Sequence, residues 1–181
     1  MNAMTRKSLA LQISPIGEVR SPFKTPVMQP GQTDMELNER LAKIRAHYRQ
    51  VKETISELMI YERWAALLDG IEGFSHILVL YWPHLIDPER RKLEKVHPMG
   101  RKDLPEQGIF ATRSPARPNP VLVSTVPLLA RQGNVLKVKN LEALDGSPLI
   151  DIKPYVEIYH EAQNPRFPDW LHQIHRDLEG P

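Results

Sequence analysis

Val121-Leu122-Val123-Ser124-Thr125-Val126-Pro127-Leu128-Leu129-Ala130-Arg131-Gln132-Gly133-Asn134-Val135-Leu136-Lys137-Val138-Lys139-Asn140-Leu141 is the stretch that decides the fold class. Its flanks are rich in valine, threonine and leucine. Branched side chains are stiff at the first side-chain torsion and pack well on a pleated surface, which favours strands. Gln132-Gly133-Asn134 between the flanks is a turn signal, because glycine enters left-handed backbone without steric cost. The pattern predicts strands over 121–128 and 135–141 joined through that turn.

Downstream, Asp145-Gly146 is a second turn leading into a strand over 149–152. Upstream, residues 74–82 are aromatic and branched and stop at Pro83, which marks a strand end. A further strand is expected over 108–113. Phe74, Tyr81 and Trp82 are read chiefly as core, with base stacking open to one that reaches a rim. Many short strands at close spacing predict a barrel or sandwich rather than alternating β-α units.

Seventeen prolines and nine glycines confine long helices to a few windows. Thr33 and Glu36 have capping-box spacing, and Leu37, Leu41, Ile44, Tyr48 and Val51 follow at steps of four and three. A helix is therefore expected over 34–52. The rhythm continues formally through Ile55 and Leu58, so residues 58–61 fit either a longer coiled helix or a strand. Trp64, Leu67 and Leu68 suggest a short helix ending near Gly70, and Trp170, Leu171, Ile174 and Leu178 share one face of a C-terminal helix. The expected fold is mostly β: a small barrel-like domain spanning residues 1–181, with a helical insertion near 34–52 and short peripheral helices.

Composition narrows the function. At 181 residues, with 41% hydrophobic and 25% charged residues, the chain suits one globular domain. The absence of cysteine removes disulfides, thiolate metal sites and thiol nucleophiles together, and makes the cytoplasm the default expectation. No apolar run approaches the ~20 residues of a membrane span, and residues 1–11 lack the apolar run of a secretion signal. A net charge of +2 excludes a uniformly basic nucleic-acid binder. Local basic clusters nevertheless stand at Arg90, Arg91, Lys92 and Lys95, at Arg101 and Lys102, and at Arg113 and Arg117. Neither dinucleotide nor phosphate-loop fingerprints are present, nor is His-Glu-x-x-His. His172 and His175 could share a helical face but read as surface histidines, and no metal site is expected. No internal repeat supports a solenoid.

The most informative segment is Phe110-Ala111-Thr112-Arg113-Ser114-Pro115-Ala116-Arg117-Pro118-Asn119-Pro120. Ser114, Arg117 and Asn119 each precede proline and are biased out of helical backbone, so the segment is a stiff loop. Arg113 and Arg117 bring planar, permanently charged donor forks suited to phosphate, carboxylate or a base, and Asn119 adds an amide that donates and accepts. Pre-ordering such groups reduces the entropy lost on binding. The alternative is a proline-rich surface turn with solvated arginines.

With this element the chain resembles the YaeB-like family, also called TsaA-like or TrmO, whose hallmark is Phe-Ala-Thr-Arg-Ser-Pro followed by Arg-Pro-Asn-Pro. Three other blocks match in order: Pro15-Ile16-Gly17 with Ser21-Pro22-Phe23; Ile71-Glu72-Gly73-Phe74-Ser75-His76-Ile77; and Leu144-Asp145-Gly146-Ser147-Pro148 running into Asp151-Ile152-Lys153-Pro154-Tyr155. The resemblance spans 13–159 and implies a small β-barrel that binds S-adenosylmethionine as a homodimer, with the cofactor near the subunit boundary. It implies methylation of the exocyclic amine of threonylcarbamoyl-adenosine beside the tRNA anticodon. It also favours a strand at 58–61 after a separate helix.

On this resemblance, Arg113, Ser114, Pro115, Arg117, Pro118, Asn119 and Pro120 would form one wall for cofactor or substrate, and Asp145, Gly146, Lys153 and Tyr155 the other. Asp151 is the candidate proton acceptor, with a structural pairing to Lys153 as the competing role. Arg113 and Arg117 would meet RNA phosphate or the threonylcarbamoyl carboxylate. The chain departs from the family in carrying Val121-Leu122 where Ile-Gly is common, and Ala116 where a histidine often stands. With 22 residues after Tyr159, the additional C-terminal domain of some members is not expected. An RNA-binding module without catalysis and a structural dimerisation protein are the alternative functions; titration with S-adenosylmethionine separates the first from an enzyme.

Overall fold

A computed structural model describes residues 11–27 and 37–179. Eight strands run in chain order as β1 (Gly17–Arg20), β2 (Ile55–Ile60), β3 (His76–Tyr81), β4 (Lys95–Val96), β5 (Gln107–Gly108), β6 (Leu122–Gln132), β7 (Val135–Lys139) and β8 (Pro148–Pro154). Six of them close into a barrel in the order β1-β2-β7-β6-β3-β8, and β4 with β5 forms a separate small ribbon. Each pairing within the barrel is antiparallel. Closure gives each barrel strand a paired neighbour on both sides. The helices are α1 (Leu37–Glu53), α2 (Glu157–His160) and α3 (Asp169–Glu179).

Alternation along the strands fills the barrel. Leu58 and Ile60 on β2, Ile77, Val79 and Tyr81 on β3, and Leu136 and Val138 on β7 are buried, joined by Val19, Val126 and Leu149. These residues form one core, the two-residue strand period delivering every second side chain inward. Gly17 is required by a close approach: a Cβ there would stand 2.2 Å from the Met59 carbonyl oxygen. The β6–β7 turn has Gly133 at φ +62°, the conformation that the glycine signal demands.

The mostly-β barrel with an inserted helix is thus realised. Helix α1 begins at Leu37, while Thr33 and Glu36 lie outside the described residues. Leu41, Ile44 and Val51 on its apolar stripe are buried within the chain, and α1 packs against α3, where the Asp177 carbonyl accepts a bond from Arg45 Nε. The ambiguous stretch after α1 is strand β2. Residues 62–68 form the expected short helix, in 3₁₀ form, at Glu62–Leu68.

Two expectations are corrected. The strand expected over 108–113 stops at Gly108; Ile109–Ala111 is a 3₁₀ turn. The carbonyls of Ile109 and Thr112 that a ladder would use are taken by the Arg117 guanidinium, at 3.3 and 2.6 Å. Among Phe74, Tyr81 and Trp82, expected chiefly in the core, only Tyr81 is buried; Phe74 is exposed and Trp82 half-buried. Among the described residues, no helix is long and apolar enough to cross a membrane.

Candidate functional site

One rim of the barrel gathers the C-terminal end of β3 and the N-terminal ends of β6 and β8: Tyr81 lies opposite both Leu122 and Leu149. The 110–120 loop leads directly into β6 at this rim. Pro120, fully buried, anchors its end. Ala116 is also buried, its amide donating to Ser114 Oγ at 3.2 Å, so the family's histidine is replaced by a methyl facing inward. Leu122 packs against the core, filling the barrel end that a glycine would leave open.

The two arginines differ. Arg117 Nε donates to the Ser114 carbonyl at 3.1 Å, and its Nη2 holds the Ile109 and Thr112 carbonyls, so its fork is the internal staple of the loop. Pro115 contributes a carbonyl that accepts the Arg117 amide at 3.0 Å. Arg113 is exposed and donates from Nη2 to the Val123 carbonyl. Pro118 and Asn119 are exposed, and the Asn119 carbonyl accepts the Val121 amide at 2.8 Å.

Beside Arg113 lies Tyr81, whose hydroxyl donates to the Glu142 carbonyl at 2.8 Å and stands 3.5 Å from Ser124 Oγ. Burial pushes the Tyr81 phenol up, against smaller opposing effects of Ser124 and Arg113, so it stays a protonated donor at neutral pH.

The turn before β8 closes the same rim. Asp145 accepts the Ser21 amide at 2.9 Å and the Lys24 ammonium at 2.6 Å; these two, the lysine foremost, hold its carboxyl below the usual carboxylate range. Gly146 has φ +74° and donates its amide to Val19 at 2.8 Å. Ser147 Oγ is 3.4 Å from His84 Nδ1, and the Trp82 amide donates to the Pro148 carbonyl at 2.9 Å. Asp145 also lines an open groove of about 570 Å³ with Arg20, Lys24, Glu57 and Lys137.

The structure therefore places the Arg113–Asn119 loop on the same rim as Asp145 and Gly146. It separates the rest of the expected second wall. Asp151 sits on the outer surface of β8, opposite Leu80, which is itself opposite Val123. Its carboxylate pairs with Lys153 at 2.6 Å and accepts the Ile152 amide at 2.9 Å. Tyr155 stands at the far rim, its amide donating to the His76 carbonyl at 3.0 Å and its ring stacked on His160 at 5.3 Å. The seven residues of β8 put about 20 Å between the two rims. His84 and Ser124 were not expected at the site; no local pattern marks them, and the tertiary fold alone sets them beside Ser147 and Tyr81, which the family block and the aromatic strand put forward.

The fold and rim define the class as a closed six-stranded antiparallel barrel with an arginine-bearing, proline-stiffened loop at one end. The chain belongs to the tRNA-methyltransferase O N-terminal domain family, whose model matches residues 18–161. It is 43% identical over 149 residues to a probable S-adenosyl-L-methionine-binding protein of Methanothermobacter thermautotrophicus, covering 82% of this chain and 93% of that one. It is 41% identical to an S-adenosyl-L-methionine-binding protein of Archaeoglobus fulgidus, covering 79% and 88%. A crystal structure of TrmO superposes with TM-score 0.63 at 27% identity, covering 88% of this chain and 64% of that one. The chain thus spans somewhat under two-thirds of the solved TrmO chain.

Proposed function

We propose that the chain binds S-adenosylmethionine at the Arg113 rim and methylates the exocyclic amine of threonylcarbamoyl-adenosine beside the tRNA anticodon. The observation that carries this is Arg113: an exposed guanidinium, held by a carbonyl and paired with no carboxylate among the described residues, on the rim that also carries the Gly146 turn and the Ser147–His84 pair. That donor set fits an amino-acid carboxylate and hydroxyl groups. The names of the two archaeal relatives support the cofactor, and the family description supports the tRNA substrate.

Bound S-adenosylmethionine supplies an electrophilic methyl group. Arg113 holds the cofactor carboxylate, and the stiff 113–120 loop fixes the approach of the acceptor amine, positioning being the main catalytic resource. An adenosine amine is a weak nucleophile, so an acceptor for its departing proton helps. Asp151 lies on the outer wall, so we assign it that role across a homodimer boundary. The half-buried Leu78 and Leu80 with exposed Val123 give that wall the apolar character a twofold contact needs.

Calorimetric titration of the folded protein with S-adenosylmethionine, followed by methyl transfer to tRNA carrying threonylcarbamoyl-adenosine, tests the proposal. Saturable cofactor binding and RNA-dependent turnover are expected. RNA retention without cofactor binding would leave an RNA-binding module. Sedimentation at micromolar concentration should report twice the chain mass, and Asp151→Asn should lower turnover while leaving cofactor affinity unchanged.

A further inference from the structure

The basic cluster at residues 90–95 plays no part in the site just described, yet the fold lays it alongside the loop. The β4–β5 ribbon pairs Lys95 with Gly108, and the Ile109 amide donates to the Glu94 carbonyl at 2.8 Å. A groove of about 440 Å³ results, its lining including Arg91, Lys92 and the acidic Glu94 on one side and Ile109, Phe110 and Pro118 on the other. Pro118 belongs to the loop that carries Arg113, so the groove adjoins the rim.

Phe110 is 80% exposed, although Ile109 before it is buried. The backbone on both sides of Phe110 is fixed, because Arg117 holds the carbonyls of Ile109 and Thr112. A phenyl ring is thus presented to water from a rigid support, with no packing that accounts for it. Facing it, the Arg91 guanidinium lies 5.2 Å from the Trp82 ring centroid, and its Nε is buried without a hydrogen-bond partner. Arg91 has no ion pair among the described residues. Lys92 is held by Glu89 at 2.6 Å, but both side chains are largely exposed, and such an i,i+3 pair is easily exchanged for another anion.

An exposed aromatic face beside one cation without an ion pair and another held only by an exchangeable surface pair is the arrangement that grips single-stranded nucleic acid, stacking on a base and tracking the phosphates. We propose that this groove holds unpaired nucleotides flanking the target base: Phe110 stacks on one base, and Arg91 and Lys92 take the adjoining phosphates. The proposal rests on the tRNA reading above and adds the recognition surface to it.

The test uses the full chain, without cofactor, and two labelled RNAs read by fluorescence anisotropy: an anticodon-type hairpin with an unpaired loop, and a blunt duplex of equal length. Phe110→Ala should weaken hairpin binding by about tenfold, the scale of one lost base–aromatic stack, and leave the duplex unchanged. Phe110→Trp should restore hairpin affinity and Phe110→Leu should not. Lys92→Ala should reduce the slope of log affinity against log salt by about 0.7, one phosphate contact on a single strand. Wild-type hairpin affinity in Phe110→Ala, or full rescue by leucine, would overturn the proposal. A separate titration with S-adenosylmethionine keeps the two readings apart: failure of the wild type to bind it would sink methyl transfer while leaving the hairpin contrast to be judged by itself.

Discussion

Arg101 and Arg113 stand twelve positions apart and put the same side chain to opposite uses. Arg101 is 2% exposed and pairs with Asp103 at 2.6 Å and with Asp177 of α3, so its charge is spent inside the chain and ties the C-terminal helix down. Arg131 does likewise nearer the surface, meeting Asp69 at 2.9 Å and Glu72 at 3.4 Å. Around the loop rim the pattern reverses: Arg113 and Arg117 hold backbone carbonyls, and Arg91 lies over a ring. A guanidinium bonded to carbonyls is fixed in place but keeps its positive charge, whereas one paired with carboxylates has little field left for a ligand. The arginines thus fall into two sets, one whose charge is met by carboxylates and one bonded only to carbonyls or laid over a ring.

The comparison breaks first, if it breaks, on stability. Arg101→Met strands two carboxylates; with Asp103 and Asp177 still 34% and 28% exposed, the loss should be about 2–3 kcal/mol, below the range for a fully buried pair. The urea midpoint measures it, and the slope of that transition should not change. Arg117→Ala should cost about 1–2 kcal/mol, since three carbonyls lose a charged donor in a half-buried setting. Its stabilising role also means that folding and ligand binding should fall together in that variant, contrary to what an exposed side chain would give.

Acid sharpens the contrast further. The hydrogen bond from Arg101, with its charge, holds the Asp103 carboxyl below its ordinary value of 3.8. A depressed carboxyl stabilises the fold above its unfolded pKa, and that stability is lost as pH falls through the folded one. Thermal midpoints should therefore drop below about pH 4 in the wild type, and less steeply in Asp103→Asn. The smallest stability effect is expected for Arg113→Ala, within about 0.5 kcal/mol, together with at least a tenfold loss of S-adenosylmethionine affinity by calorimetry. A destabilisation matching that of Arg101→Met would dissolve the distinction between the two sets.

Much of the barrel was legible because strands and turns are local. Valine-rich runs around Gly133, the Asp145-Gly146 turn and the aromatic run ending at Pro83 all became β6, β7, β8 and β3, with boundaries within a few residues. The strand expected over 108–113 was not recoverable, because what ends it is a side chain eight residues downstream, Arg117, competing for the carbonyls. The candidate site was legible in half. The loop and Asp145-Gly146 share a rim, but a strand carries chemistry from one end of a barrel to the other, so contiguous motif residues such as Gly146 and Tyr155 end up far apart.

The amino-acid sequence by itself determined the strands over 74–82, 121–128, 135–141 and 149–152, the helix before β2 and the stiffness of the 110–120 loop, since branched side chains, apolar periodicity and proline act through the backbone of their own neighbourhood. Only the tertiary structure decided which arginines have their charge met by a carboxylate and which residues share the rim. Counter-ions such as Asp177 and partners such as His84 arrive from distant positions, and strand register in a closed barrel, not sequence distance, sets what they touch.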